Sequence, residues 1–171
     1  MNRINSSSRI GFTLLELLAS VVIMGVIGAV VFPVISASSE AYTTTREIRN
    51  RTESVAHALD RMVRVVRQAP IGASDTGIGV TTATPIALEF SDGTGFELNS
   101  GAIKMLVPGE ANAMLCTNID ALSIQYLAED GMTSTVSTPS VSHRIVVTIT
   151  SGDLRMSAIG HPRVWIGQEA P

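Results

Sequence analysis

Residues 12–35 read FTLLELLASVVIMGVIGAVVFPVI and carry one charge, at Glu16. At about 1.5 Å rise per residue, a helix of this length covers the roughly 30 Å hydrocarbon core of a bilayer. The run therefore predicts a transmembrane helix, which leaves about 130 residues to build one modest core. Gly25 and Gly28 weaken a soluble helix but are common in membrane helices. Gly25 with Ala29 makes a small-xxx-small pair through which helices approach closely. Pro33 removes a backbone donor and is expected to bend or locally melt the helix near its exit.

Charge is distributed unevenly. Residues 1–11 carry Arg3 and Arg9 and no acid (+2). Residues 12–68 carry six bases and five acids (+1), and residues 69–171 four bases and ten acids (−6), which together give the net charge of −3. A basic start before an apolar run places the N-terminus on the cytoplasmic side. An acidic distal part argues against a nucleic-acid partner, whose phosphates demand a cationic surface. Aromatic residues at 4% leave little for stacking bases or sugars. The single Cys116 makes neither an intrachain disulfide nor a zinc site and is read as a buried structural thiol.

The segment 36–45, SASSEAYTTT, is polar and poor in helix formers, so it reads either as interfacial helix or as a short linker. Beyond it Ile48, Val55, Leu59, Met62, Val63 and Val66 form one apolar stripe at helical period. Arg46, Arg49, Arg51, Arg61, Arg64 and Arg67 occupy other positions and read as a solvated face, with an anionic-lipid or phosphate site as the alternative. Pro70 and Gly72 end this helix. If both helical stretches are continuous, they span about 57 residues, or roughly 85 Å.

After Pro70 the pattern changes to short strands with turn punctuation. PIALEF and GFELN flank Asp92-Gly93, AIKMLV follows Ser100-Gly101, ALSIQYLAE alternates, and HRIVVTITS and LRMSAI flank Gly152-Asp153. GASDTGIGVTTATP and MTSTVSTPSVS read as loops. The expected fold class is α+β, with a long N-terminal helix packed on a C-terminal antiparallel β-sheet.

No catalytic constellation stands out. His57, His143 and His161 lack companions at metal-ligand spacing. GIGVTT lacks the third glycine of a dinucleotide fingerprint, and no phosphate-loop or nucleophile-elbow motif occurs. Ser74 and Asp75 read as turn residues, and Glu129-Asp130-Gly131 as a turn rather than paired acid–base carboxylates. The expectation is a non-enzyme that needs no cofactor and no metal.

A short basic leader ending in Gly11, then FTLLE opening a long apolar helix, resembles the N-terminal signal of type IV pilins and type II secretion pseudopilins. The order of elements after it is similar to minor pseudopilins of the J type and related minor pilins. This resemblance implies a type IV pilin-like fold divided into a leader (1–11), a transmembrane and assembly helix (12–35), an amphipathic helix (36–69) and a periplasmic β-rich domain (70–171). It implies cleavage between Gly11 and Phe12 by prepilin peptidase, N-methylation of Phe12, and Glu16 as the assembly carboxylate, with Gly25 and Ala29 packing helices and Pro33 bending one. Implied partners are the peptidase and methyltransferase, other pilin or pseudopilin subunits, an inner-membrane assembly platform, and lipid before assembly. The place implied is the bacterial inner membrane, crossed once with the distal domain periplasmic, and then a type II secretion pseudopilus or type IV pilus. The chain lacks the cysteine pair of many major pilins, which points to a minor subunit.

The residues leave two other readings open. Ile35 to Ala37 would serve as a conventional small-residue signal cleavage site, releasing a soluble domain from Ser38; the long apolar run and Glu16 inside its start argue against it. A signal-anchored periplasmic binding domain unrelated to filaments is the other.

Overall fold

The computed structural model describes residues 13–73 and 76–166. Ser74 and Asp75, whose turn reading was noted above, lie outside the described residues, as do the leader and its junction. The elements run in the order α1 (Leu14–Arg67), β1 (Val80–Ala83), β2 (Ala87–Phe90), β3 (Gly95–Asn99), β4 (Ala102–Leu106), β5 (Ala113–Thr117), β6 (Ala121–Leu127), the 3-10 turn Pro139–Val141, β7 (Arg144–Ser151), β8 (Leu154–Gly160) and the 3-10 turn Arg163–Trp165. The chain divides into two compact units, Met1–Ile48 and Arg49–Pro171.

In the first unit α1 is helical without interruption through Pro33 and through the polar segment 36–45. Local hydroxyls explain how that polar segment stays helical. Ser38 Oγ donates to the Val34 carbonyl at 2.8 Å, and Thr43, Thr44 and Thr45 donate to carbonyls three or four residues earlier at 2.8–2.9 Å. These side chains bond back along the helix instead of competing with it. The apolar side chains of residues 14–35 are exposed, from Leu14 at 85% to Val31 at 44%. This stretch is long and apolar enough to cross a membrane.

The second unit holds the core. Its part of α1 buries Val55, Ala58, Leu59, Met62, Val63, Val65 and Val66, a stripe repeating every three or four residues. The opposite face carries exposed ion pairs at helical spacing, Arg49 with Glu53 at 2.8 Å and Arg64 with Asp60 at 3.0 Å. Each contributes only about 0.3–0.5 kcal/mol. Burying a side chain such as Leu59 stabilises by about 1.5–3 kcal/mol, so the stripe decides where this stretch of helix docks. Ile48, which the sequence pattern includes in the stripe, is 59% exposed.

The strands form two antiparallel sheets, in the orders β1-β2-β3-β4-β5 and β6-β7-β8, where the sequence suggested one. The hairpins have turn chemistry to match. Ser100 and Gly101 both have positive φ between the paired Asn99 and Ala102, the type I′ geometry that suits a right-twisted ribbon. Gly152 alone has positive φ between Ser151 and Leu154, which fits type II′. Asn118, with φ of 59°, turns the chain between β5 and β6 at the junction of the sheets. Tyr126 ties the sheets together. Its ring is 1% exposed, and its hydroxyl lies 3.1 Å from the Thr84 carbonyl and 3.3 Å from that of Ala87, both at the β1–β2 turn. Phe90, Phe96, Ile103, Ile145, Val147 and Ile149 complete the fully buried centre.

Candidate assembly site at the start of the helix

Glu16 stands in the first turn of α1. Its Oε2 accepts from the Thr13 backbone N–H at 2.9 Å and from the Thr13 hydroxyl at 3.0 Å, while Thr13 Oγ1 accepts from the Glu16 N–H at 3.3 Å. This is a capping box. The threonine satisfies a donor of the first turn, and the glutamate three residues on reaches back to the threonine N–H. Glu16 stands out in the sequence by its charge and Thr13 does not, although the T-x-x-E spacing that signals the motif is plain in TLLE. A carboxylate at a helix N-terminus also faces the positive end of the helix dipole. One turn on, Ser20 Oγ donates to the Glu16 carbonyl at 2.7 Å.

At 100° per residue, Gly25 lies nine residues and about 180° around the helix from Glu16, and Ala29 about 40° beyond it. The acid and the small-residue pair therefore occupy opposed faces of one cylinder. A Cβ added at Gly25 or Gly28 meets nothing within 4 Å, so both backbones lie open to an approaching element. Pro33 sits within the helix, where it withholds the hydrogen bond that the Ala29 carbonyl would otherwise accept. Gly11 and Phe12, the expected cleavage and methylation positions, lie outside the described residues.

The remaining sequence candidates are dispersed. His57 and His161 are exposed, while His143 stacks on Trp165 with ring centroids 3.9 Å apart. Among the described residues no group of three or more His, Cys, Asp or Glu could hold a metal ion. Cys116 is buried, and burial pushes its thiol up, as suits an inert packing residue. Glu129-Asp130-Gly131 forms the expected turn. Gly131 has a φ of 71°, and Asp130 Oδ1 accepts from the Met132 and Thr133 N–H groups at 2.9 Å. Hydrogen bonds from the Thr133 hydroxyl and these two amides hold the Asp130 carboxyl down at about 2.

A family model described as the prokaryotic N-terminal methylation motif matches residues 6–32. A comparison with curated proteins gives no match. The matched segment contains the capping box, most of the exposed apolar stretch and the Gly25–Ala29 pair. The chain thus carries a prokaryotic N-terminal methylation motif on a membrane-capable helix, which supports a type IV pilin-like precursor.

Proposed function

We propose that this chain is a minor pseudopilin or minor pilin, a structural subunit that prepilin peptidase trims between Gly11 and Phe12, that is methylated on the Phe12 amine, and that assembles through α1. Before assembly it crosses the bacterial inner membrane once, with residues 70–171 forming the periplasmic β-rich domain. An assembly platform then packs it with other subunits into a type II secretion pseudopilus or a type IV pilus. The observation that carries this reading is a carboxylate placed in the first turn of α1, at the head of the otherwise uncharged, exposed apolar stretch 14–35 and inside the matched motif.

An acid at a bilayer centre costs about 2.5–3.5 kcal/mol on insertion scales, so an intramembrane carboxylate is a functional residue by default. Cleavage after Gly11 creates an amine at Phe12, four residues before Glu16. A neighbour's amine at 4 Å from Glu16 gains about 4 kcal/mol at an effective dielectric near 20, before desolvation is subtracted. Apolar contacts set axial register poorly because lipid competes with them on equal terms. The ion pair supplies the register, and the Gly25–Ala29 face admits a second neighbour on the other side of the helix.

Mass spectrometry of the mature N-terminus is the first test: methylated Phe12 is expected, and a chain beginning at Ser38 would overturn the assignment. Glu16→Val is then expected to leave processing intact while lowering incorporation into filaments by tenfold or more, the effect if about a third of that energy survives desolvation. Wild-type co-assembly of this variant would remove the pairing role.

A further inference from the structure

The outer sides of the end strands are treated differently. β1 has four residues and a register irregularity after Val80. β5 has five residues and joins β4 with a similar irregularity. The outer side of β6 is occupied: Ile124 N–H donates to the Pro85 carbonyl at 2.8 Å, and Thr135 N–H to the Tyr126 carbonyl at 2.9 Å. Short strands, bulges and covering loops are the usual means by which sheet edges avoid pairing with other chains.

β8 uses none of them. It has seven residues, LRMSAIG, each in unbroken register with β7, and contains no proline, lysine or acid. Its two-residue turn makes Ser151 and Leu154 a hydrogen-bonded pair, so alternate residues from Leu154 bond to β7. Arg155, Ser157 and Ile159 therefore aim their N–H and C=O groups away from the sheet, and all three side chains are exposed. Among the described residues no backbone group bonds to that side. Leu154, Met156 and Ala158, on the inner face, are only partly buried against the core.

We infer that the outer edge of β8 is a docking edge for an extended, acidic segment of another protein chain, which adds to the sheet as a fourth antiparallel strand. Main-chain bonds to Arg155, Ser157 and Ile159 would supply affinity, and alternate side chains would supply selectivity. Charge identifies the partner. Acids outnumber bases ten to four over residues 69–171, yet two of those four bases, Arg155 and Arg163, lie on β8 or just after it. Arg163 also lines a cavity of about 240 Å³ with Arg64 and Arg67 of α1, where Asp60 is the acid present. A carboxylate opposite Arg155, a hydroxyl opposite Ser157 and an aliphatic side chain opposite Ile159 complement this edge. A second copy of β8 complements it less well, since antiparallel self-pairing centred on Ser157 sets Arg155 against Ile159 and leaves both arginines without an acid. This inference rests on the second unit alone and does not depend on the filament assignment.

The test uses the full-length chain in detergent micelles and the synthetic peptide Thr-Val-Val-Thr-Val-Glu-Thr, followed by amide NMR and hydrogen exchange. Binding is expected to protect the Arg155, Ser157 and Ile159 amides and to leave the β5 amides unchanged. Ser157→Pro removes the central outward donor at a position where an edge strand tolerates proline, and should abolish binding without unfolding the chain. Arg155→Glu should weaken binding by about fivefold, and a peptide with Lys in place of Glu should recover it. The inference is overturned if the peptide protects none of the three amides or if Ser157→Pro binds it as wild type does. Protection of those amides without peptide would also overturn it. A concentration-dependent pattern would then mark a second copy as the occupant, and a concentration-independent one the chain's own residues 167–171.

Discussion

The two halves of α1 have similar backbones and opposite environments. In residues 14–35 the large apolar side chains are exposed on every side, whereas between Val55 and Val66 a single stripe is buried. A helix that is apolar all round is built for a surrounding that is apolar all round, and a striped one is built for a single sheet-covered face. Secondary structure alone does not distinguish these tasks. The angular spread of the apolar residues does.

The comparison breaks most sharply at Met62, which is fully buried. Met62→Ala should destabilise the second unit by about 2–5 kcal/mol, read from denaturant unfolding in micelles. Val22→Ala, at a position 56% exposed, should leave the same transition unmoved; an equal shift would mean that the first half also packs on the core. Tyr126→Phe removes the hydroxyl bridge between the sheets and should cost about 0.5–1.5 kcal/mol in the same measurement. Thr13→Ala opens the capping box, which removes about 1 kcal/mol of helix stability at that end. Amide exchange over residues 13–17 should rise, with the unfolding midpoint of the second unit unchanged.

The smallest effect concerns acid. Asp130 titrates near 2 in the folded chain against an ordinary 3.8. Because its folded value is depressed, the stability it contributes is present above the unfolded value and is lost as pH falls through about 4 towards 2. Asp130→Asn should lower stability at neutral pH and flatten the profile between about 4 and 2, so that variant and wild type converge in acid, which acid titration of unfolding would reveal.

Much of this architecture was legible because its signals are local. The apolar run, the stripe from Val55 to Val66, and the turns at Asp92-Gly93, Ser100-Gly101 and Gly152-Asp153 all declare themselves within a few residues. β1 and β5 were not. VTTA lies in a Gly- and Thr-rich stretch that reads as a loop, and AMLCT does not alternate; each becomes a strand because a neighbour supplies its ladder. Strand preference is largely the preference of a side chain for its cross-strand context, which adjacent sequence does not contain. The division into two sheets depends on Asn118 adopting positive φ and on Tyr126 reaching residues about 40 positions earlier. At the helix start the reverse occurred. Glu16 is conspicuous as the one charge in an apolar run, whereas its capping partner Thr13, three residues before it, is an ordinary polar residue at the run's edge.

That partner changes what the acid does while it waits. A carboxylate entering lipid without a donor would be driven to take up a proton or to pull water in with it. Thr13 gives Glu16 two donors from its own chain, so the charge is solvated by peptide before any neighbour arrives. The two Thr13 donors at Oε2 then act as a portable hydration shell, and in the proposed filament an arriving amine would exchange with a formed interaction in place of quenching a bare ion. In the proposed filament, assembly would be a swap of donors on one carboxylate oxygen, a step that subunits would enter and leave without crossing a large electrostatic barrier.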